Sequence, residues 1–196
     1  MLTVPAMLGA IDGYPMKQKE PKLRLFFALW PDDAERAALA AWQPPLRELC
    51  GGRAMRPDTL HATLVFLGDV AGHRLEALYL AAQETELRDF ELNFALAHYW
   101  GHNHIVHAAP DGCPPPLAGL VNELERSLRR HRFRFEQRIY KPHVTLLRHA
   151  KWTDAPLPAM RAVRWQVNRF ALVQSLRDED GPHYQVLAWF GGSALE

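Results

Sequence analysis

Two short stretches, HATL at His61–Leu64 and HVTL at His143–Leu146, each set a histidine two positions before a threonine inside an apolar run. The frames are TLHATLVFLGDV (Thr59–Val70) and YKPHVTLLR (Tyr140–Arg148). Residues two apart on a strand point to one face. His61 and Thr63 would face together, with Ala62 and Leu64 turned to the core. His143 and Thr145 would do the same, backed by Val144 and Leu146. Each copy thus holds an imidazole beside a hydroxyl on a rigid apolar backing. One such pair is commonplace. Two, in the same frame, point to two imidazoles and two hydroxyls converging on one cleft.

Metal-free phosphoryl hydrolysis needs this set. A neutral imidazole takes a proton from the attacking water, and a protonated one gives a proton to the leaving oxygen. Histidine titrates near neutrality, so both forms coexist at working pH. Threonine hydroxyls can donate hydrogen bonds to the non-bridging phosphate oxygens, where charge must be stabilised. A two-metal phosphodiesterase would need clustered carboxylates, which neither motif carries.

The elements that must position these residues follow from periodicity. LRLFFALW (Leu23–Trp30) reads as a strand ended by Pro31. Pro31, Asp32 and Asp33 suit a helix start. Ala34, Ala37, Ala38, Ala41 and Trp42 form its stripe, and Pro44-Pro45 interrupts it. LHATLVFLG is a strand closed by Gly68-Asp69, and HRLEALYLAAQETEL is a second helix. FELNFALAHYW and HNHIVHAAP read as antiparallel strands about Gly101. LAGLVNELERSLRRH is a third helix with Leu117, Leu120, Val121, Leu124 and Leu128 on one face. FRFEQRIYKPHVTLLRHA, VRWQVNRFALVQSLRD and HYQVLAWF are strand-like, with a turn at Glu179–Gly181. The order predicts an α+β fold: two weakly repeated halves with antiparallel sheets flanking a central cleft, and helices outside. The motif histidines lie 82 positions apart (143 minus 61), too far for a short-period solenoid.

Composition fits a globular chain. Its 196 residues are 48% hydrophobic and 23% charged, with net charge +1, so no global basic field demands nucleic acid, although a local RNA-end contact needs few cations. Cys50 and Cys113 are the only cysteines, which argues against a disulfide framework and for a reducing, cytoplasmic setting. No apolar stretch reaches the length of about 18 residues that a membrane helix needs. Residues 1–22 lack a basic region ahead of their apolar part and are read as a flexible extension rather than a secretory signal. Residues 23–192 form one expected domain, and residues 193–196 a tail resembling a cloning remnant.

The chain resembles the two-histidine phosphoesterases, specifically the bacterial RNA 2′,3′-cyclic phosphodiesterases, also called 2′-5′ RNA ligases. RLFFAL is similar to the family's first strand, LHATLVFLGDV to its first motif and KPHVTLLR to its second; the likeness runs from Leu23 to Phe190. It implies a bilobal fold and opening of a 2′,3′-cyclic phosphate to a 2′-phosphate, with no metal or other cofactor. Ligation of RNA ends through a 2′-5′ bond would use the same site. By residue it implies His61 as proton donor, His143 as acceptor, and Thr63 and Thr145 on the phosphate. It implies RNA ends or cyclic nucleotides as partners of a monomer, with no membrane and no obligate protein partner.

Arg148 is a candidate phosphate contact by its charge. Phe27, Trp100 and Tyr184 are candidates for stacking on a base. His102, His104 and His107 in HNHIVH break the alternation that a nucleotide-binding histidine triad needs. On a strand His102 and His104 share a face and His107 takes the other, so the three are read as incidental surface histidines, not as a metal site. A binder of RNA ends or nucleotides that uses the cleft without chemistry is the alternative function.

Overall fold

The two histidine strands lie side by side at the middle of one sheet. The computed structural model describes residues 20–178 and 181–192. Its strands are β1 (Lys22–Leu29), β2 (Arg53–Ala54), β3 (Ala62–Ala71), β4 (Phe90–Trp100), β5 (Ile105–Pro110), β6 (Val144–Arg148), β7 (Val163–Val167), β8 (Arg169–Asp178) and β9 (Gly181–Gly191). Its helices are α1 (Asp33–Ala40), α2 (Gln43–Cys50), α3 (Leu75–Gln83) and α4 (Pro115–Arg130). The sheet order is β7-β4-β5-β6-β3-β1-β8-β9, with β2 on β6, and the recorded pairs are antiparallel.

That order is symmetric about its centre. β3 carries one motif and continues outward through β1, β8 and β9; β6 carries the other and continues through β5, β4 and β7. The two arms meet at one recorded pair, Ala62 with Val144, the residues directly after the two motif histidines. The α+β fold of two antiparallel halves therefore holds, with the halves joined edge to edge at the motifs.

Local rules explain most elements. Asp32 caps α1: its Oδ1 accepts from the Glu35 amide at 2.7 Å, and its own amide donates to the Glu35 carboxylate at 2.8 Å. Such a cap is worth about 1 kcal/mol. Pro44-Pro45 does end the first helical stretch, but it also opens α2, where the missing amides are no loss. The expected stripe of α4, from Leu117 to Leu128, is buried. β1 is buried on both faces, with Leu25, Phe27 and Leu29 in the main core and Phe26 and Ala28 in a smaller cluster on the cleft side.

Three expectations differ. β3 does not close at Gly68-Asp69 but runs to Ala71; Gly68, at φ +70°, sits beside a register shift between β1 and β3 and makes a bulge rather than a turn. FRFEQRIY alternates like a strand, yet residues 133–143 form neither strand nor helix. Phe133 is buried and Phe135 packs on the core, while the Glu136 amide donates to the Phe66 carbonyl at 3.0 Å. The segment thus covers the edge of β3 from which β6 diverges. VRWQVNRFALVQSLRD splits at Asn168 into β7 and β8, which belong to opposite arms.

Of the expected N-terminal extension, the described end is Glu20–Lys22: Lys22 opens β1 and the Gly72 amide donates to the Pro21 carbonyl at 3.0 Å. Residues 1–19, the tail 193–196, and Glu179 and Asp180 of the expected turn lie outside the described residues. No described helix is long and apolar enough to cross a membrane.

Candidate active site

The central bridge decides the geometry. In an antiparallel pair, residues on opposite strands run in opposite order, so a register through Ala62 and Val144 extends to His61 beside Thr145 and to Thr63 beside His143. Directly opposed residues lie about 5 Å apart and share a face. Each imidazole therefore stands next to the other motif's hydroxyl. All four side chains line one cavity of about 430 Å³. Burial alternates as the motif predicts: His61, Thr63, His143 and Thr145 are half-buried, whereas Ala62, Leu64, Val144 and Leu146 are buried.

Both rings are oriented the same way. Nδ1 of His61 lies 2.7 Å from the Thr59 carbonyl oxygen, and Nδ1 of His143 lies 2.8 Å from the Lys141 carbonyl oxygen. A carbonyl only accepts, so Nδ1–H is the donor in each ring, and Nε2 is left for a ligand. The repeated bond, from each histidine to the residue two before it, is a feature no residue pattern announces. Among the described residues neither Thr63 nor Thr145 spends its hydroxyl on the backbone, whereas Thr59 and Thr85 do.

Aromatic rings wall the His61 side. Trp30 stacks on His61 with centroids 5.4 Å apart and planes 12° apart, and Phe26 and Tyr184 each lie 5.0 Å away. Tyr184 thus stands in the cleft. Phe27 does not. It is fully buried against Phe170 and Phe190, because alternation along β1 turns Phe26, not Phe27, toward the cleft. Trp30 and Phe26 are the aromatic residues that the sequence reading passed over.

On the His143 side, Trp100 lies 4.6 Å from the His143 ring and 4.0 Å from His107. His107 is not a surface residue. It is 2% exposed, lies across from Thr145 in the β5–β6 register, and its Nδ1 is buried without a hydrogen-bond partner. His102 and His104 are exposed, as expected of surface histidines, but they lie in the β4–β5 turn rather than on the expected strand, which starts only at Ile105; His104 Nδ1 bonds the Tyr99 hydroxyl at 3.1 Å. The described residues contain no histidine, cysteine or carboxylate group arranged to hold a metal ion.

Arg148 lines the cavity, joined by Arg24, Arg53 and Arg138, which the sequence reading did not single out. For Arg24 a signal existed: it sits two before Phe26 and so shares its face. Burial pushes the His61 pKa down to about 4, aided by the positive charge of His143 and Arg148 and opposed by the bond to Thr59. His143 is lowered chiefly by burial, opposed by its Lys141 bond and assisted by Arg138 and Arg148. Burial, with His143 and His98 nearby, pushes His107 down to about 3. The four arginines thus make the cleft cationic, while burial favours the neutral form of its imidazoles.

A stability consequence follows from the sign of these shifts. Unfolded histidines bind protons near pH 6.5, whereas His61 waits until about 4 and His107 until about 3. Above pH 6.5 there is no penalty. Below it the unfolded chain binds more protons, and stability falls by about 1.4 kcal/mol per pH unit for each imidazole. Urea unfolding at pH 7 and pH 5 should show the loss, and His107→Leu should reduce it. An unchanged difference in His107→Leu would mean that His107 does not contribute.

The family model described as the 2′-5′ RNA ligase superfamily matches residues 30–179. A curated RNA 2′,3′-cyclic phosphodiesterase of Thermus thermophilus is 31% identical, over 86% of this chain and 89% of that protein. A curated protein of the same name from Escherichia coli is 33% identical over 67% of this chain and 74% of its own length. In structure, Escherichia coli LigT complexed with 3′-AMP superposes with a TM-score of 0.79 at 28% identity, covering 87% of this chain and 98% of LigT. With a family model spanning most of its length and curated relatives above 30% identity, this chain belongs to the 2′-5′ RNA ligase superfamily.

Proposed function

We propose that this protein opens 2′,3′-cyclic phosphate ends of RNA or nucleotides to 2′-phosphates, with His61 and His143 as acid and base. The observation that carries the reading is the single cavity lined by both imidazoles and both threonines, with each Nδ1 tied to the backbone and each Nε2 left over. The curated relatives named RNA 2′,3′-cyclic phosphodiesterase support the same substrate class.

The step balances on side chains alone. His143 Nε2 takes a proton from water as its oxygen bonds to phosphorus. The bond from phosphorus to O3′ breaks, and His61 Nε2–H protonates that oxygen. The products are a 3′-hydroxyl and a 2′-phosphate monoester. Thr63, Thr145 and Arg148 stabilise the charge that builds on the non-bridging oxygens. An anionic phosphate beside an imidazole favours its protonated form, so the substrate itself offsets the burial that lowers His61. With an RNA 5′-hydroxyl in place of water, the same step forms a 2′-5′ bond. The choice of His61 as donor follows the family likeness; the near-symmetric motifs would serve either way.

The test is incubation of a 2′,3′-cyclic nucleotide with the purified protein in excess chelator, followed by phosphorus NMR. The expected product is the 2′-phosphate. A 3′-phosphate would exchange the acid and base roles or reverse the substrate. Absence of turnover, with binding retained, would leave a nucleotide-binding protein without chemistry.

A further inference from the structure

His107 is a buried imidazole that the proposed reaction leaves unused. β5 places it directly across from Thr145 of β6, and Trp100 lies over it with ring centroids 4.0 Å apart. Cross-strand partners share a face, so the imidazole and the Thr145 hydroxyl stand side by side. His107 lines neither the cleft nor the neighbouring cavity of about 330 Å³, which Trp100 walls. It therefore acts on a substrate through a neighbour or not at all. We propose that His107 is a positioning residue, whose ring N–H holds the Thr145 hydroxyl with its proton aimed at the phosphate. The inference rests on the function proposed above.

The supply of hydrogen bonds picks out this neighbour. A hydroxyl has one proton to give and two lone pairs to fill. When Thr145 gives its proton to a non-bridging oxygen, a second donor on a lone pair fixes the direction of that proton. Three imidazoles surround Thr145: His61 across β3 by extension of the central register, His143 two residues before it, and His107 across β5. Nδ1–H of His61 and of His143 is spent on a backbone carbonyl, and each Nε2 serves a proton transfer. Of the three, His107 holds a ring nitrogen, Nδ1, that is buried with no hydrogen-bond partner. Buried polar atoms are otherwise nearly always paired. Catalytic hydrogen bonds are often open in an unliganded site and close around substrate.

Burial keeps this ring neutral, with His143 and the exposed His98 as the titratable groups that face it, each at a centroid distance of 5.6 Å. A neutral imidazole carries one N–H and sets no further cation beside His143. The two halves of the site differ at this point. Thr63, the counterpart of Thr145, has Ala28 of β1 as its outer neighbour, and an alanine side chain has nothing to donate. The near-symmetric site therefore gives one threonine an imidazole on its outer side and the other none.

The experiment is a double-mutant cycle on opening of a 2′,3′-cyclic nucleotide by the full chain. His107→Phe keeps an aromatic ring under Trp100 and removes both nitrogens. It should lower kcat about tenfold, the scale of one hydrogen bond, with KM nearly unchanged. In the Thr145→Val background the same change should cost about twofold or less, because the hydroxyl it holds is gone, whereas in the Thr63→Val background the loss of about tenfold should persist. His107→Gln, whose amide can donate, should recover most of the rate. Thermal unfolding checks each variant, and His107→Leu, smaller and equally without a donor, carries the same cycle should the phenylalanine not fold. A parental kcat without the donor overturns the inference, as does a loss that Thr145→Val leaves at full size. Absence of turnover in the parent overturns the function proposed above and takes the inference with it.

Discussion

Replacing His61 with alanine should slow opening of a 2′,3′-cyclic nucleotide by about 10²–10⁴-fold, and replacing His143 should do the same, because in the proposed mechanism each supplies one of two proton transfers in a single step. The double variant should be little worse than either single one, since groups that act as a unit lose their effect together. Both proteins should remain folded. Each loses one hydrogen bond to a carbonyl, worth about 1 kcal/mol, while the core behind them, Ala62 with Leu64 and Val144 with Leu146, is untouched. In the parent, kcat/KM should be bell-shaped in pH, and its limbs belong to the coupled pair rather than to one ring. Because burial lowers both imidazoles in the free cleft and bound phosphate raises them, the bell for kcat should lie at higher pH than the bell for kcat/KM. Near-normal activity in either single variant would remove the two-histidine mechanism.

The motif residues were legible because a period of two is a local property. His61 and Thr63, Ala62 and Leu64 sort to opposite faces whatever else the chain does, and the second copy repeats the sorting. How the copies meet was not legible. The pairing of Ala62 with Val144 joins residues far apart in sequence, and only that register sets each histidine beside the other motif's threonine. The failure at Phe27 has a different cause. In RLFFAL both faces of β1 are buried, so hydrophobic alternation is silent about which face meets the cleft. The polar neighbour was the usable signal: Arg24 marks the face of Phe26.

His107 shows the converse limit. A histidine near a turn reads as solvated, yet β4 and β6 flank its strand, and Trp100 folds over it. Residues 133–143 alternated like a strand but had no free partner along their length. Their backbone instead meets β3 once, at Phe66, while their side chains close the cleft and the neighbouring cavity.

Thr63→Val and Thr145→Val should each slow the reaction by about one to three orders of magnitude, the cost of losing a donor to developing phosphate charge. Valine keeps the branched shape and suits a strand, so the change removes a hydroxyl and little else. The site's symmetry makes the expectation specific. Thr63 stands beside His143 and Thr145 beside His61, by extension of the central register, so each hydroxyl flanks one path of proton transfer. The loss should fall mainly on kcat, because the bond strengthens as charge moves onto the non-bridging oxygens, while KM shifts less. Serine at either position, which restores the hydroxyl without the methyl, should recover most of the rate. Steady-state kinetics of the four variants with one cyclic nucleotide decide the matter. Valine variants with parental kinetics would show that these hydroxyls only pack, and charge stabilisation would then pass to Arg148 and the arginines around it.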